Sequence, residues 1–363
     1  MVSAADVRSI DAGSYVVRVG AGLRSSFADE IVAAAPAHRY AVVTDSEVAP
    51  HYADALVAAL APHAGVSLHV IPSGEAHKTR GIWARVTDEL LLAGCGRDTT
   101  VVALGGGVVG DLAGFVAATF MRGVPVVQCP TTLLAMIDAS VGGKTGVDTD
   151  AGKNLVGVFH PPSIVLVDVE MVATLAVAHR RAGLAEAIKH GIICDTAYLA
   201  SLEASAQAIV AGSVDATFEA VARSVEIKAE VVRADPRENG RRKTLNFGHT
   251  IGHGIELVSG FRLLHGECVS IGMVLEARLA ERLGIADVGT TDDIERILRA
   301  ALLPTVLPVG ISADAVLAAT HRDKKARAGA VEYALPVRLG EMADNGMTWA
   351  IPVEDAAVLG VLA

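Results

Sequence analysis

The sequence predicts a doubly wound, Rossmann-like α/β domain over residues 1–176 and a mainly α-helical domain over residues 177–363. Two observations predict this division. In the first part, short runs rich in Val, Ile and Tyr alternate with Ala-rich helical stretches, the layout of a parallel sheet covered by helices. After about residue 176 the strand signal fades and helical periodicity takes over. A third observation agrees: the hydrophobic share is 52% but the aromatic share only 4%, which implies an Ala, Val, Leu and Ile core typical of α/β enzymes. With 363 residues, the chain can form one large or two medium domains.

Strand-like runs lie at residues 15–19, 40–44, 68–71, 100–104, 124–128 and 164–167, with helical stretches such as 26–35 and 52–61 between them. Several runs are continuously apolar, as expected of strands buried on both faces. Helices are expected at 180–194, 198–211, 216–233, 243–258, 269–283 and 291–301, and short extended pieces at 331–335 and 347–351. The chain shows no internal repeat and no low-complexity tail. Ligand sites favour domain junctions, so a cleft between the two domains is the expected place for function.

A formal net charge of −10 argues against nucleic acid or an anionic membrane as the main partner, yet it is compatible with a local basic pocket for a small anion. Cys95, Cys129, Cys194 and Cys268 stand far apart with no Cys-x-x-Cys pair, the usage expected of reduced core thiols. The start MVSAADVRSIDAG carries charges where a signal peptide needs an apolar core. No apolar run reaches the roughly 18 residues of a membrane span. The expectation is a soluble, cytoplasmic protein.

The run 100–104 leads into Gly105-Gly106-Gly107-Val108-Val109-Gly110-Asp111, a G-x-G-x-x-G pattern between a strand and a helix. Such glycines allow a tight turn and let backbone N–H groups approach a pyrophosphate at a helix N-terminus. The acid suited to a ribose, Asp45, ends the run 40–44 and so lies upstream instead of about 20 residues downstream. This reads as a dinucleotide site of non-standard order. Next comes PTTLLAMIDASVGGKTGVDTDAGKN, residues 130–154. Its Gly143-Lys144-Thr145 looks like the end of a P-loop, but position 138 is Asp where that motif requires Gly, which argues against an NTPase. Lys144, Lys153 and Asn154 among glycines suit phosphate binding by charge and amide donors.

Glu186 and Lys189 stand at i, i+3 on a helix otherwise made of Ala, Leu, Ile and Gly, where ionised groups are seldom buried without a partner. Residues 245–267 read as a helix and a short loop. His249 and His253, at i, i+4, share a face with Asn246 and Glu256, while Phe247, Ile251 and Ile255 form the opposite apolar stripe. Gly248 and Gly252 are costly inside a helix and imply close packing there. His265 follows after the loop. A buried helix with hydrogen-bonded histidines is the plain alternative. The third histidine and Glu186 favour a metal site instead, of two His and one Glu with a position left open. HTIGH is not a zincin motif, because Thr250 stands where the glutamate base would be. Lys228 reads as solvated on a charged helix over 224–233, and His321-Arg322-Asp323-Lys324-Lys325 is a basic cluster compatible with an exposed loop.

Together these motifs resemble the 3-dehydroquinate synthase family of sugar-phosphate cyclases, which serve the shikimate pathway. GGGVVGDLAGFVAATFMRG, PTTLLAMIDASVGGKTGVDTDAGKNLVG, AGLAEAIKHGII, LNFGHTIGHGIE and LHGE carry the resemblance in order and spacing, across residues from about 40 to 325. The resemblance implies an NAD-binding first domain, a helical metal-binding second domain and a homodimer. It makes Glu186, His249 and His265 the ligands of Zn2+ or Co2+. It gives NAD contacts to Asp45, Glu75, Lys78, Gly107, Val108, Val109, Gly110, Asp111, Thr131, Thr132, Lys144, Lys153 and Thr174. Around the substrate it places Asp138, Lys144, Asn154, Lys189, Lys228, Arg242, Asn246, His253 and Lys324, with Arg122 reaching in from the partner subunit. Glu238, His253, Lys189 and Asp138 become the catalytic set, with proton transfer assigned to Glu238 and His253.

The implied substrate is a small anionic sugar phosphate, 3-deoxy-D-arabino-heptulosonate 7-phosphate, and the implied product is 3-dehydroquinate. The route is transient oxidation at C5 by NAD, phosphate elimination, re-reduction, ring opening and an intramolecular aldol closure. The chain departs from the family pattern at Ala176, Pro236, Arg241 and Met171, none of them an implied ligand. Two alternatives stand beside this reading. One is another sugar-phosphate cyclase, such as an amino-dehydroquinate or 2-deoxy-scyllo-inosose synthase. The other is a metal-dependent alcohol dehydrogenase of the glycerol-dehydrogenase type.

Overall fold

The computed structural model describes residues 7–150, 152–321, 326–327, 330–346 and 348–363. The chain divides into two compact units, Met1–Leu175 with Val214–Ala229, and Ala176–Ser213 with Glu230–Ala363.

The first unit is built on a seven-stranded sheet. Its strands are β1 (Val7–Asp11), β2 (Val16–Gly20), β3 (Arg39–Asp45), β4 (Gly65–Ile71), β5 (Thr99–Gly105), β6 (Val126–Pro130) and, after the hairpin β7 (Lys144–Thr149) and β8 (Gly152–Phe159), β9 (Ile164–Asp168). The spatial order is β1-β2-β9-β6-β5-β3-β4. Only β1 and β2 pair antiparallel, and the rest of the sheet is parallel. Every residue of β5, β6 and β9 is buried, which explains their continuous apolar runs. Helices α1 (Phe27–Ala34), α2 (Ala49–Leu60), α3 (Arg80–Leu92) and α4 (Gly107–Thr119) connect the strands. Val43, Leu90, Val101, Ala103, Leu112 and Val116 belong to one core cluster. Each fully buried Val or Leu of this kind contributes about 1.5–3 kcal/mol.

This topology places the nucleotide motif. From β3 the chain passes outward to β4 and then returns to β5 on the other side of β3, so the winding reverses between β3 and β5. In open α/β sheets, ligands bind outside the carboxyl ends of the strands at such a reversal. Asp45 ends β3 there, and Gly105 ends β5 at the N-terminus of α4. The structure moves one expected strand, from 124–128 to Val126–Pro130, because Pro125 precedes the pairing stretch. It also turns part of the Gly-rich residues 130–154 into the β7 strand, whose partner β8 is mostly exposed and so lacks an apolar signature.

The second unit is helical. It contains α5 (Val177–Cys194), α6 (Thr196–Ala211), the end of α7 (Val214–Ala234), α8 (His249–Val258), α9 (His265–Arg282), α10 (Thr290–Ala300), α11 (Ala313–Thr320) and α12 (Asp355–Leu362). Ile251 and Ile255 of α8, Cys268, Ile271 and Leu275 of α9, Val316 of α11 and Val358 of α12 share its core. The expected helix over 243–258 is two elements. A 3-10 turn covers Arg241–Asn246, and α8 starts at His249 after Gly248, whose φ is 78°. The break has a steric cause. A Cβ on Gly248 would lie 2.5 Å from Met273 Cγ and 2.8 Å from the Val269 carbonyl oxygen, so α9 occupies the space a side chain would need. Asn246 therefore does not share a helix with His249. Among the described residues, no helix is long and apolar enough to cross a membrane. All four cysteines are free thiols.

Candidate functional site

The second unit brings one carboxylate and two imidazoles together. Glu186 lies midway along α5, His249 opens α8 and His265 opens α9. Glu186 Oε1 is 3.3 Å from His249 Nε2 and 3.4 Å from His265 Nε2. His249 Nδ1 is 3.1 Å from the Phe247 carbonyl oxygen, which can only accept, so Nδ1 carries the proton and Nε2 offers a lone pair. His265 Nδ1 faces Glu256 Oε2 at 3.4 Å, which selects the same tautomer. Three lone-pair atoms thus converge, and buried Glu186 Oε1 accepts no hydrogen bond from the described residues. Facing acceptors repel unless a cation or proton lies between them. Two imidazoles and a carboxylate form a donor set that zinc takes while keeping a position open. The residues fit a divalent metal.

The electrostatics agree. Residues 182–193 of α5 are buried in succession, and the Glu186 and Lys189 side chains are 0% and 1% exposed. Lys189 Nζ donates to Glu186 Oε2, leaving Oε1 for the imidazoles. Burial alone would raise the Glu186 carboxyl, but Lys189 and His249 hold it well below the ordinary carboxylate range. Burial and the Lys189 charge push the His249 ring down to about 3. Burial would lower His265 too, yet the carboxylates of Glu186 and Glu256 push it up to about 9. Without metal, a proton on His265 plays the cation's part. The rings of His249, His253 and His265 lie 5.3–5.8 Å apart, centre to centre. His253, Glu256 and His265 form a second group of possible ligands that shares His265 with the first.

Between α7 and the 3-10 turn at Arg241–Asn246, Asp235 organises a loop. Its carboxylate accepts the amides of Asn239 at 3.0 Å, Gly240 at 2.7 Å and Arg242 at 3.1 Å. Burial would raise its carboxyl, but those amides hold it below its ordinary value. Within the loop, Glu238 adopts φ 60° and its Oε1 accepts from Asn246 Nδ2 at 2.6 Å. Arg242 is 2% exposed and donates through Nη1 to the Pro236 carbonyl oxygen at 2.7 Å.

The first unit collects most of the residues expected to bind NAD. Lys78 Nζ donates to Asp111 Oδ2 at 2.7 Å and lies 3.6 Å from Glu75 Oε1, and Lys153 Nζ is 2.8 Å from that same oxygen. Burial alone would lower the Lys78 ammonium, but Asp111 and Glu75 hold it above its ordinary value. Burial raises the Asp111 carboxyl despite Lys78. Asp111 belongs to the first turns of α4, beside Gly107, Val108, Val109 and Gly110. The Thr131 amide donates to the Gly105 carbonyl oxygen at 3.0 Å, joining the ends of β6 and β5, and Thr132 Oγ1 accepts from the Ala135 amide. Asp45 caps the following turn by accepting the amides of Glu47 and Val48. Thr174 Oγ1 lies 2.9 Å from the Tyr52 hydroxyl.

The structure overturns the reading of Lys228 as a solvated residue. Lys228 is 6% exposed, and its ammonium lies 2.8 Å from Asp138 Oδ1. Helical periodicity places a residue on a face of its helix but does not show what covers that face. Lys144, exposed, opens β7, and Asn154 stands in β8 with φ 52° and its amide on Asp148 Oδ1. Arg122 is exposed at φ 70°. Lys324 lies outside the described residues. Asp235 and Glu276 lie outside the sequence motifs. Glu276 is fully buried, and the apolar context of Met273, Val274, Leu275 and Ala277 was a usable signal.

Residues 68–182 match the family model of the 3-dehydroquinate synthase N-terminal region, and residues 183–326 match that of the C-terminal region. A 3-dehydroquinate synthase of Symbiobacterium thermophilum is 47% identical over 332 residues, covering 90% of this chain and 92% of that protein. One of Xanthomonas axonopodis pv. citri is 45% identical over 369 residues, covering 98% of each. Among solved structures, the 2-epi-5-epi-valiolone synthase ValA of Streptomyces hygroscopicus subsp. jinggangensis 5008, with NAD+ and Zn2+ bound, has a TM-score of 0.85 at 30% identity, covering 100% of this chain and 98% of that one. A 2-deoxy-scyllo-inosose synthase complexed with carbaglucose-6-phosphate, NAD+ and Co2+ shares the fold, with a TM-score of 0.90 at 24% identity over 98% of this chain and 99% of that one. With both family models matched and relatives at 45–47% identity along nearly its whole length, this chain belongs to the 3-dehydroquinate synthase family.

Proposed function

We propose that this chain is an NAD- and divalent-metal-dependent carbon–oxygen lyase that converts 3-deoxy-D-arabino-heptulosonate 7-phosphate into 3-dehydroquinate and phosphate. The observation that carries the proposal is that His249 Nε2 and His265 Nε2 both lie within 3.4 Å of Glu186 Oε1 in a member of this family. Zn2+ or Co2+ held there would supply Lewis acidity to the C5 hydroxyl of the substrate, and NAD would supply a hydride acceptor that is regenerated within each turnover.

The chain's own residues do the rest. Arg242, its guanidinium oriented by the Pro236 carbonyl, suits the substrate carboxylate as a planar two-point donor. Glu238, fixed by Asn246, and His253 serve proton transfer. Lys189 neutralises the Glu186 oxygen turned away from the imidazoles. Lys144, Asn154, Lys228 and Asp138 of the first unit, and Lys189, Asn246 and His253 of the second, are proposed substrate groups, with Arg122 acting on the partner subunit of a homodimer. Lys324 belongs to the same proposal. The NAD groups are Asp45, Glu75, Lys78, the turn at 107–111, Thr131, Thr132, Lys144, Lys153 and Thr174. Support comes from the chain reversal between β3 and β5, where Asp45 and the glycine turn lie. Four free thiols support a cytoplasmic location, with the buried Cys129 thiol pushed up by burial and so unreactive.

The test is incubation with the heptulosonate phosphate and trace NAD, before and after chelation. Phosphate release far exceeding the NAD present, abolished by chelation and restored by Zn2+ or Co2+, is expected. Stoichiometric NADH build-up without phosphate release would instead make the protein an alcohol dehydrogenase.

A further inference from the structure

The two imidazoles facing Glu186 are oriented by different means. His249 is held by the backbone carbonyl of Phe247, which no side-chain change removes. His265, at the first residue of α9, faces a side chain: Glu256 of α8, 4% exposed, with Oε2 at 3.4 Å from Nδ1. Glu256 follows His249 by seven residues, two helical turns, so both lie on one face of α8 and bracket the His265 ring. The ring's two nitrogens point away from each other. A carboxylate on Nδ1 therefore cannot share a cation held at Nε2; it acts on the cation only through the ring. A buried carboxylate is costly unless hydrogen-bonded, and the Nδ1–H of His265 is a donor within its reach.

We propose that Glu256 is a positioning residue for the metal centre, holding His265 in the Nδ1–H tautomer and aiming Nε2 at the cation beside Glu186. The inference rests on the metal reading of Glu186, His249 and His265. Outer partners of this kind change metal affinity by about 10–100-fold.

The test uses the full-length chain stripped of metal and titrated with Co2+ against a competing chelator. Glu256→Leu should weaken Co2+ binding about 10–100-fold, and Glu256→Gln, whose amide oxygen still accepts from Nδ1–H, should restore most of it. Nuclear magnetic resonance of the Co2+-loaded protein should show two hyperfine-shifted exchangeable imidazole protons. Glu256→Leu should abolish or broaden only the His265 signal and keep that of His249. If Glu256→Leu does not fold, the signal in Glu256→Gln decides: retention supports the role, and loss of both signals overturns it. Wild-type affinity with both signals intact in Glu256→Leu overturns it as well. So does binding of two Co2+ per wild-type chain that falls to one in Glu256→Gln, because Glu256 would then be a ligand. The metal reading fails separately, if His265→Ala keeps full Co2+ affinity.

Discussion

The Glu276 carboxylate of α9 accepts the amide N–H of Gly248, with 2.6 Å between Oε2 and N, and its other oxygen accepts the Ile251 amide at 3.0 Å. A side chain of one helix thus caps the N-terminus of another. The first amides of a helix have no partner within it, and negative charge is favoured at that end. The cap is fully buried, at 0% exposure, and it sits one residue before His249. Glu276→Ala strands both amides and is expected to cost about 3 kcal/mol or more, with Glu276→Gln milder because one acceptor remains. Denaturant unfolding measures this. A loss below about 1 kcal/mol in Glu276→Ala would mean that water or a rearranged turn satisfies the amides.

Gly266 should be a switch for metal affinity. A Cβ added there would lie 1.9 Å from the carbonyl oxygen of Ala182, four residues before Glu186 on α5. Backbone cannot yield as a flexible side chain does, so Gly266→Ala should push the start of α9, with His265, away from Glu186. Overpacking of this type costs about 1–3 kcal/mol. The expected signature is Co2+ affinity reduced at least about tenfold in a variant that still folds, since a 1.4 kcal/mol loss already corresponds to that factor. Unchanged affinity would show that α9 can shift without moving the ring.

In the metal-free protein, the joint contribution of His265 and His249 to stability should be greatest near pH 6.5. His265 is raised from 6.5 to about 9 in the fold, so its contribution is complete below pH 6.5 and is lost as pH rises to about 9. His249 is lowered from 6.5 to about 3, so its contribution is complete above pH 6.5 and is lost as pH falls towards 3. Metal must displace the His265 proton, so the stabilisation given by Zn2+ should grow from pH 6.5 to 9. Urea midpoints across this range, with and without Zn2+, measure both trends. An alkaline decline that persists unaltered in His265→Ala would remove His265 as its source.

What the sequence disclosed about this site follows from local contrast. Glu186 was conspicuous because an acid on an Ala, Leu and Ile helix needs a partner, and α5 is buried along 182–193. Gly248 drew notice as a costly helix residue, but its role depends on Met273 and Val269 of α9, far along the chain. The burial of Lys228 is hidden for the same reason: its partner, Asp138, is 90 residues away. The β7–β8 hairpin is hidden because its glycines and polar residues resemble a loop, and only the antiparallel register from Lys144 opposite Phe159 to Thr149 opposite Gly152 makes it a strand pair. Alternation and periodicity report burial along one element. They do not report which element provides the cover.

Arg242→Lys should weaken substrate binding and leave NAD binding untouched. The guanidinium is buried and held by the Pro236 carbonyl, a geometry that a single ammonium cannot reproduce. A loss of about 1.5–3 kcal/mol, or roughly 10–100-fold in substrate affinity, is expected from losing a charge-assisted two-point contact. Calorimetry with each ligand separates the effects. Equal weakening for NAD would point to a disturbed fold instead of a lost contact.

Asp235 should govern turnover without touching substrate. Its carboxylate gathers three amides, those of Asn239, Gly240 and Arg242, and so closes the loop in which Glu238 sits at φ 60°. A non-glycine residue in that left-handed region costs roughly 1–2 kcal/mol, which the closed loop offsets. Asp235→Ala removes the acceptors, so Glu238 should relax to negative φ and leave Asn246, now 2.6 Å from its carboxylate. If Glu238 carries protons in the reaction, kcat should fall by at least about tenfold while Co2+ content and NAD affinity stay at wild-type values. Asp235→Asn, which keeps one amide-accepting oxygen, should recover part of the rate. A pure loss of stability would behave otherwise, lowering the active fraction and leaving the pH profile of kcat in its place. Displacement of Glu238 changes that profile, because the group supplying the proton has moved. An Asp235→Ala enzyme with unchanged kcat and pH profile would show that Glu238 holds its position without the loop.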